Sequence, residues 1–111
     1  MNQVILIGRV GRDPEIRNAG QSKVATFSVA TSRKNGKGDN DYETTWHNIK
    51  LWGKTAEFAH ENIRKGDEVF IQGRITVESW DSNGQKQYRT LVTGEMIRIT
   101  KQNNNGGDGE Y

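Results

Sequence analysis

The sequence contains no cysteine, one proline and two histidines among its 111 residues. Without cysteine the chain can form no disulfide, no catalytic thiolate and no zinc site with thiolate ligands. No apolar run reaches the 18 residues that suggest a membrane-spanning helix, and the first residues lack the charged and apolar regions of a secretory signal. We therefore expect no membrane partner, and a cytoplasmic location is permitted.

Groups that suggest catalysis are also scarce. The two histidines, His47 and His60, are thirteen residues apart on different predicted elements. The sequence has no His-Glu-x-x-His, no phosphate-binding loop and no Gly-x-Ser-x-Gly, and its carboxylates are scattered. The sequence therefore predicts a protein that is not an enzyme and that has no metal site and no cofactor.

Charge is plentiful but unevenly placed. All sixteen Lys and Arg lie in residues 1–101 with twelve of the fourteen acids, while the last ten residues hold only Asp108 and Glu110. A basic body with an acidic end is weak evidence for a polyanionic partner, and an ordinary solvated surface is the alternative. Residues 102–111 are of low complexity, so we predict a disordered short acidic tail there.

Residues 1–101 are predicted to form five strands and one helix. β-Branched and alternating stretches predict strands near residues 4–10, 24–32, 43–53, 69–80 and 88–100. Thr55 is a suitable cap for a short helix that continues to about Arg64, and residues 17–22 read as a polar turn. The order predicts an all-β domain over residues 1–101: a five-stranded OB-fold barrel with one short α-helix between the third and fourth strands. Predicted core positions are Val4, Leu6, Ile49, Leu51, Val69, Ile71 and Ile75.

The third predicted strand carries the candidate binding surface. Side chains alternate across a strand, so one face would carry Trp46, Asn48, Lys50 and Trp52. The opposite face would carry His47, Ile49 and Leu51, which suits a core. A face of large flat rings and cations predicts a platform on which nucleotide bases stack, and two half-buried core rings are the alternative.

Many segments in order resemble one family. Residues 1 to about 100 look like the bacterial single-stranded DNA-binding protein family through Val4-Ile-Leu-Ile-Gly8, Gly11-x-Asp-Pro-Glu15, Phe27-Ser-Val-Ala-Thr31, Trp46-His-x-Ile-x-Leu-Trp-Gly-Lys54, Ala56-Glu, Lys65-Gly, Val69 with Ile71-x-Gly-Arg74, and Ser79-Trp80.

The resemblance implies an OB-fold that stacks bases on Trp46, Trp52 and Trp80. The family's basic positions are matched by Arg17, Lys54 and Lys65. Further candidate cations in the sequence are Arg74, Arg33, Lys34 and Lys37. The resemblance also implies a homotetramer with His47 at a subunit interface.

Several positions depart from the family pattern. Family members commonly have a basic residue where this chain has Gln3 and Glu78. Some members also have an aromatic in the loop after the second strand, for which Tyr42 is an approximate substitute. Their acidic tip ending in Pro and Phe, which recruits repair and replication enzymes, is absent; such enzymes stay possible partners.

The resemblance implies sequence-tolerant binding and protection of single-stranded DNA in replication, recombination and repair. The DNA would be that of a bacterial nucleoid, or of a plasmid or phage in a bacterial host. The alternative is an OB-fold adaptor of the primosomal type, whose main partner is protein. The three tryptophans on predicted binding surfaces argue against the adaptor.

Overall fold

The computed structural model describes residues 1–36 and 41–103. The elements, in chain order, are strands β1 (Val4–Val10), β2 (Glu15–Ala19), β3 (Ser22–Lys34) and β4 (Tyr42–Trp52), helix α1 (Gly53–Asn62), and strands β5 (Glu68–Ser82) and β6 (Gln85–Lys101). Within these residues no helix has the length and apolar character needed to cross a membrane.

Five of the strands close into a ring. The hydrogen-bonded order is β1-β5-β6-β4-β3, and β1 returns to pair with β3 at Arg9 and Val10. β1 passes so close to β3 that a side chain at Gly8 would collide with the carbonyl oxygen of Ala30. Helix α1 lies between β4 and β5 in the chain and packs mainly on β3 and β4. The predicted OB-fold is therefore confirmed.

The core fills the inside of this ring. Ile49, Leu51, Val69 and Ile71 are buried, as the sequence predicts. Val4 and Leu6 are partly buried and pack against the core from β1. The remaining core residues come from β1, β3, β6, α1 and the residue that follows α1; they include Val10, Ala25, Phe27, Val29, Ala56, Ala59, Ile63, Val92 and Ile97.

Ile75 does not belong to the core, so that prediction is wrong. Its side chain is 48% exposed, and Val77, two residues further along the same face of β5, is also exposed. The cause is the length of β5. It pairs with β1 only as far as Gly73 and then continues as a two-stranded hairpin with β6 beyond the closed ring. Side chains continue to alternate between the two faces of this hairpin, but the hairpin lies beyond the core and leaves Ile75 and Val77 exposed.

Two local features differ from the sequence prediction. The polar stretch predicted as a turn overlaps β2, which pairs with β3 from Glu15 to Ala19 and adds a sixth strand. Helix α1 begins at Gly53 rather than Thr55, and Trp52 occupies its N-cap position without a side-chain cap. Gly53 has a φ of +63°, which lets the chain turn from β4 directly into the helix.

The segment between α1 and β5 is fixed by one buried carboxylate. Asp67 accepts hydrogen bonds from the backbone N–H of Arg64 at 3.0 Å and from that of Asn103 at 2.8 Å. These bonds hold the chain just beyond β6 against the ring. The predicted tail begins at this point, and its residues 104–111 lie outside the described residues.

Candidate nucleic-acid interface

Two tryptophans lie on one outward face of β4. Trp46 is 60% exposed and Trp52 is 43% exposed, while Ile49 and Leu51 between them are buried. An even separation along a strand places side chains on the same face, so both indole rings share this surface with Asn48 and Lys50. We call these four residues the tryptophan face. The prediction that they share one exposed side of the strand is confirmed.

The β5–β6 hairpin brings the third tryptophan to the same surface. Trp80 is 46% exposed and lies opposite Gln87, and Glu78 lies opposite Arg89. Directly opposed residues and those two positions away share one side of a sheet. Glu78 forms an ion pair with Lys50 of β4, so this side of the hairpin adjoins the tryptophan face.

A basic groove lies beside the tryptophan face. Two adjoining hollows share Thr26 and Arg89 in their linings, and we treat them together as one groove. One includes Asn48 and Lys50, and the other includes the β2 side chains. The cations that line this groove, and that define the name basic groove below, are Arg12, Arg17, Lys50 and Arg89.

Carboxylates partly neutralise the groove. Glu78 pairs with Lys50 and, at 3.5 Å, with Arg89. The hydrogen bond from Lys50 lowers the pKa of Glu78, and the nearby charges of Lys50 and Arg89 act in the same direction against the effect of burial. Glu15 lies 3.7 Å from Arg12. The Lys50 ammonium is 5.6 Å from the centroid of the Trp52 ring, within the range of a cation–π interaction.

The cations predicted from the sequence are scattered around this surface. Arg17 lies in the basic groove. Arg74 is on β5 and pairs with Glu95 at 2.8 Å. Lys54, on the first turn of α1, lines a different depression with Phe58 and Met96, between the helix and β6.

Of the remaining predicted cations, the structure describes Lys65, Arg33 and Lys34, which lie after α1 or at the end of β3. Lys65 is exposed in the segment after α1, and its backbone N–H donates to Asp13 at 2.8 Å. Arg33 and Lys34 are exposed at the end of β3, where they face Glu43 and Tyr42 of β4. Lys37 lies outside the described residues.

Three cations of the groove were missed from the sequence. Lys50 was placed on the tryptophan face but not assigned to binding, although its position between two tryptophans was a usable signal. Arg12 lies just after β1, and Arg89 lies on the β5–β6 hairpin; both line the groove. No local pattern points to either, because the groove is formed by elements far apart in sequence.

A second exposed surface is apolar. Ile5 and Ile7 of β1 point outward and are 58% and 56% exposed. Their cross-strand neighbours on β5 are Gln72 and Phe70, and Gln72 in turn faces the exposed Met96 of β6. The exposed Ile5, Ile7 and Met96 form an apolar strip on the outside of the ring.

His47 is partly buried beside the tryptophan face. Its Nε2 lies 2.9 Å from the Thr31 hydroxyl, and it lines a hollow with Val4, Trp46 and Ile75. Within residues 1–36 and 41–103, no three His, Asp or Glu side chains are arranged to hold a metal ion.

The chain is similar to known single-strand binding proteins in both sequence and structure. Residues 1–100 match the model of the single-strand binding protein family. The chain is 40% identical over 114 aligned residues to single-stranded DNA-binding protein 1 of Chlorobaculum tepidum, covering 96% of this chain and 70% of that protein. A solved structure of the Plasmodium falciparum SSB in complex with ssDNA superposes with a TM-score of 0.80 at 30% identity, over 89% of this chain and 94% of that one.

Proposed function

The chain belongs to the single-strand binding protein family, and we propose that it binds and protects single-stranded DNA with little regard to sequence. The observation that carries this proposal is the convergence of three exposed tryptophans beside one basic groove. Single strands present unstacked bases and a repeating negative charge, so a sequence-tolerant binder needs flat rings and cations.

In this mechanism the rings and the cations have separate tasks. Trp46 and Trp52 stack on bases along β4, and Trp80 stacks on a base from the hairpin. Phosphates contact cations of the basic groove, Arg17 among them, and the exposed Lys54, Lys65, Arg74, Arg33 and Lys34. Lys37, which lies outside the described residues, is a further candidate cation. Every base has a π-face, which is why sequence preference is slight. Bases in a duplex already stack on one another, so duplex DNA binds far less well.

Intrinsic tryptophan fluorescence tests this function. Titrating the protein with oligo-dT should quench its emission and saturate, and a matched duplex should require much higher concentrations. Equal binding of single strand and duplex, or no binding of oligo-dT, contradicts the proposal. In the second case a protein-binding adaptor of the primosomal type becomes the better account.

The apolar strip supports assembly into a homotetramer. Ile5 and Ile7 are large aliphatic side chains left in water by an isolated chain, and their exposure favours burial against another copy. β1 pairs with β3 only at Arg9 and Val10, so most of that edge of β1 is available to a second β1. We propose that His47 lies near a subunit interface, where its hydrogen bond to Thr31 fixes the ring.

The proposed setting is the cytoplasm of a bacterium, on nucleoid, plasmid or phage DNA during replication, recombination and repair. Residues 1–101 constitute the DNA-binding domain in this proposal. Residues 102–111 are a short acidic tail, and replication and repair enzymes are further candidate partners.

A further inference from the structure

Glu78 has an unusual position for an acidic side chain. It lies on the side of the β5–β6 hairpin that adjoins the tryptophan face, two residues from Trp80. Its carboxylate is bonded to Lys50 and lies 3.5 Å from Arg89. A polyanion that binds this surface therefore meets two cations that already share one carboxylate.

The carboxylate is charged under ordinary conditions. The hydrogen bond from Lys50 lowers the pKa of Glu78, with smaller contributions from the charges of Lys50 and Arg89. Both oxygens take part, since Lys50 binds Oε2 and Arg89 faces Oε1. A phosphate group would accept hydrogen bonds from the same Lys and Arg through two of its oxygens, as this carboxylate does.

Lys50 is held in a specific place by this bond. Its ammonium also lies 5.6 Å from the centroid of the Trp52 ring, where a base stacked on that face would approach. A strand that stacks on Trp52 therefore brings its phosphate into competition with Glu78 for the Lys50 ammonium.

We propose that Glu78 is an internal competitor of DNA phosphate, which limits the affinity of the basic groove by occupying Lys50 and Arg89 in the free protein. The proposal rests on the function proposed above. It makes Glu78 an affinity-determining residue that acts against binding, whereas the tryptophans and cations act for it.

The test is a charge series at one position. Glu78→Gln keeps the shape of the side chain and removes the competing charge, and Glu78→Lys reverses that charge. Oligo-dT should bind Glu78→Gln about two- to fivefold more tightly than the parent at low salt, the range expected for release of one ion pair near the protein surface. Glu78→Lys should bind more tightly again. The slope of log affinity against log salt should steepen by about 0.7 for each cation that gains a phosphate.

Glu61→Gln is the matched control, because it removes an exposed carboxylate from α1 and changes the net charge equally. It should leave affinity and slope close to those of the parent. If both Glu78 variants fold but bind less tightly than the parent, or bind equally, Glu78 is a positioning residue or a bystander and the proposal is wrong. An equal gain in Glu61→Gln also contradicts it, by assigning the effect to net charge. A parent that fails to bind oligo-dT overturns the proposed function itself.

Discussion

The backbone of Gly11 lies directly against the indole ring of Trp46. A Cβ at Gly11 would lie 2.8 Å from the Ser28 hydroxyl oxygen and 3.0 Å from Cη2 of Trp46, and closer still to Cζ3. The backbone N–H of Gly11 donates to the carbonyl oxygen of Ser28 at 2.9 Å, which fixes the approach. Gly11 therefore supports the Cζ3–Cη2 edge of the indole ring, and Trp46 is 60% exposed.

This contact predicts that Gly11→Ala weakens binding of oligo-dT by displacing Trp46. The loss should not exceed the value of one stacked ring, about 1–3 kcal/mol. The measurement is a double-mutant cycle with Trp46→Ala, because Gly11→Ala should have little further effect once the ring is gone. Additive losses in the double variant would show that Gly11 acts on the fold rather than on Trp46.

Stacking and charge are separable by their dependence on salt. Trp52→Ala removes a ring and no charge, so it should weaken binding by about 1–3 kcal/mol at all salt concentrations and leave the salt slope unchanged. Lys54→Ala should make the slope shallower by about 0.7 if that ammonium contacts one phosphate. Oligo-dT titrations at several salt concentrations give both values. An unchanged slope in Lys54→Ala removes Lys54 from the set of phosphate contacts.

The Glu78 ion pair also predicts a pH dependence of stability. Because the pKa of Glu78 is lowered from its ordinary 4.5 in the folded protein, the ionised carboxylate stabilises the fold above the unfolded pKa. That contribution disappears as the pH falls through the folded pKa. Glu78→Gln should therefore unfold more easily than the parent at pH 7, by up to about 1 kcal/mol, and match it in strong acid. Urea unfolding at both pH values tests this, and a gap that widens in acid contradicts it.

Assembly through the apolar strip gives a further prediction. The parent should sediment at the mass of four chains at micromolar concentration. Ile7→Glu places a charge on the exposed outer face of β1 and should shift the mass towards fewer chains, whereas an exposed change on the hairpin, Gln87→Glu, should not. Parent protein that sediments as a single chain contradicts the proposed homotetramer.

The sequence predicted the faces of the strands better than their extent. Alternation along β4 correctly placed Trp46 and Trp52 on one exposed side, because a strand imposes a period of two whatever its neighbours. The same alternation failed at Ile75. Its burial depends on whether a third strand covers it, and β1 begins at Val4, opposite Gly73, so it does not pair with Ile75. Local pattern carries no information about where a partner strand stops.

The electrostatics of the site were the least predictable part. Glu78 is 28 residues from Lys50 and 11 from Arg89, and only closure of the ring and the register of the hairpin bring the three together. β2 was missed for a related reason, since its polar residues form a strand only because β3 provides a partner. The motifs of the family indicated the tryptophans and marked Glu78 as an acid at a usually basic position, but its pairing with Lys50 and Arg89 needed the structure.

The central claim is that bases stack on the exposed rings of β4, and one set of titrations tests it most directly. Oligo-dT is added to the parent, Trp46→Ala and Trp52→Ala at a fixed salt concentration, while tryptophan emission and affinity are recorded together. The account predicts strong quenching in the parent and a loss of about 1–3 kcal/mol of binding free energy in each variant. Two variants that bind like the parent, with no quenching in the parent, would contradict it.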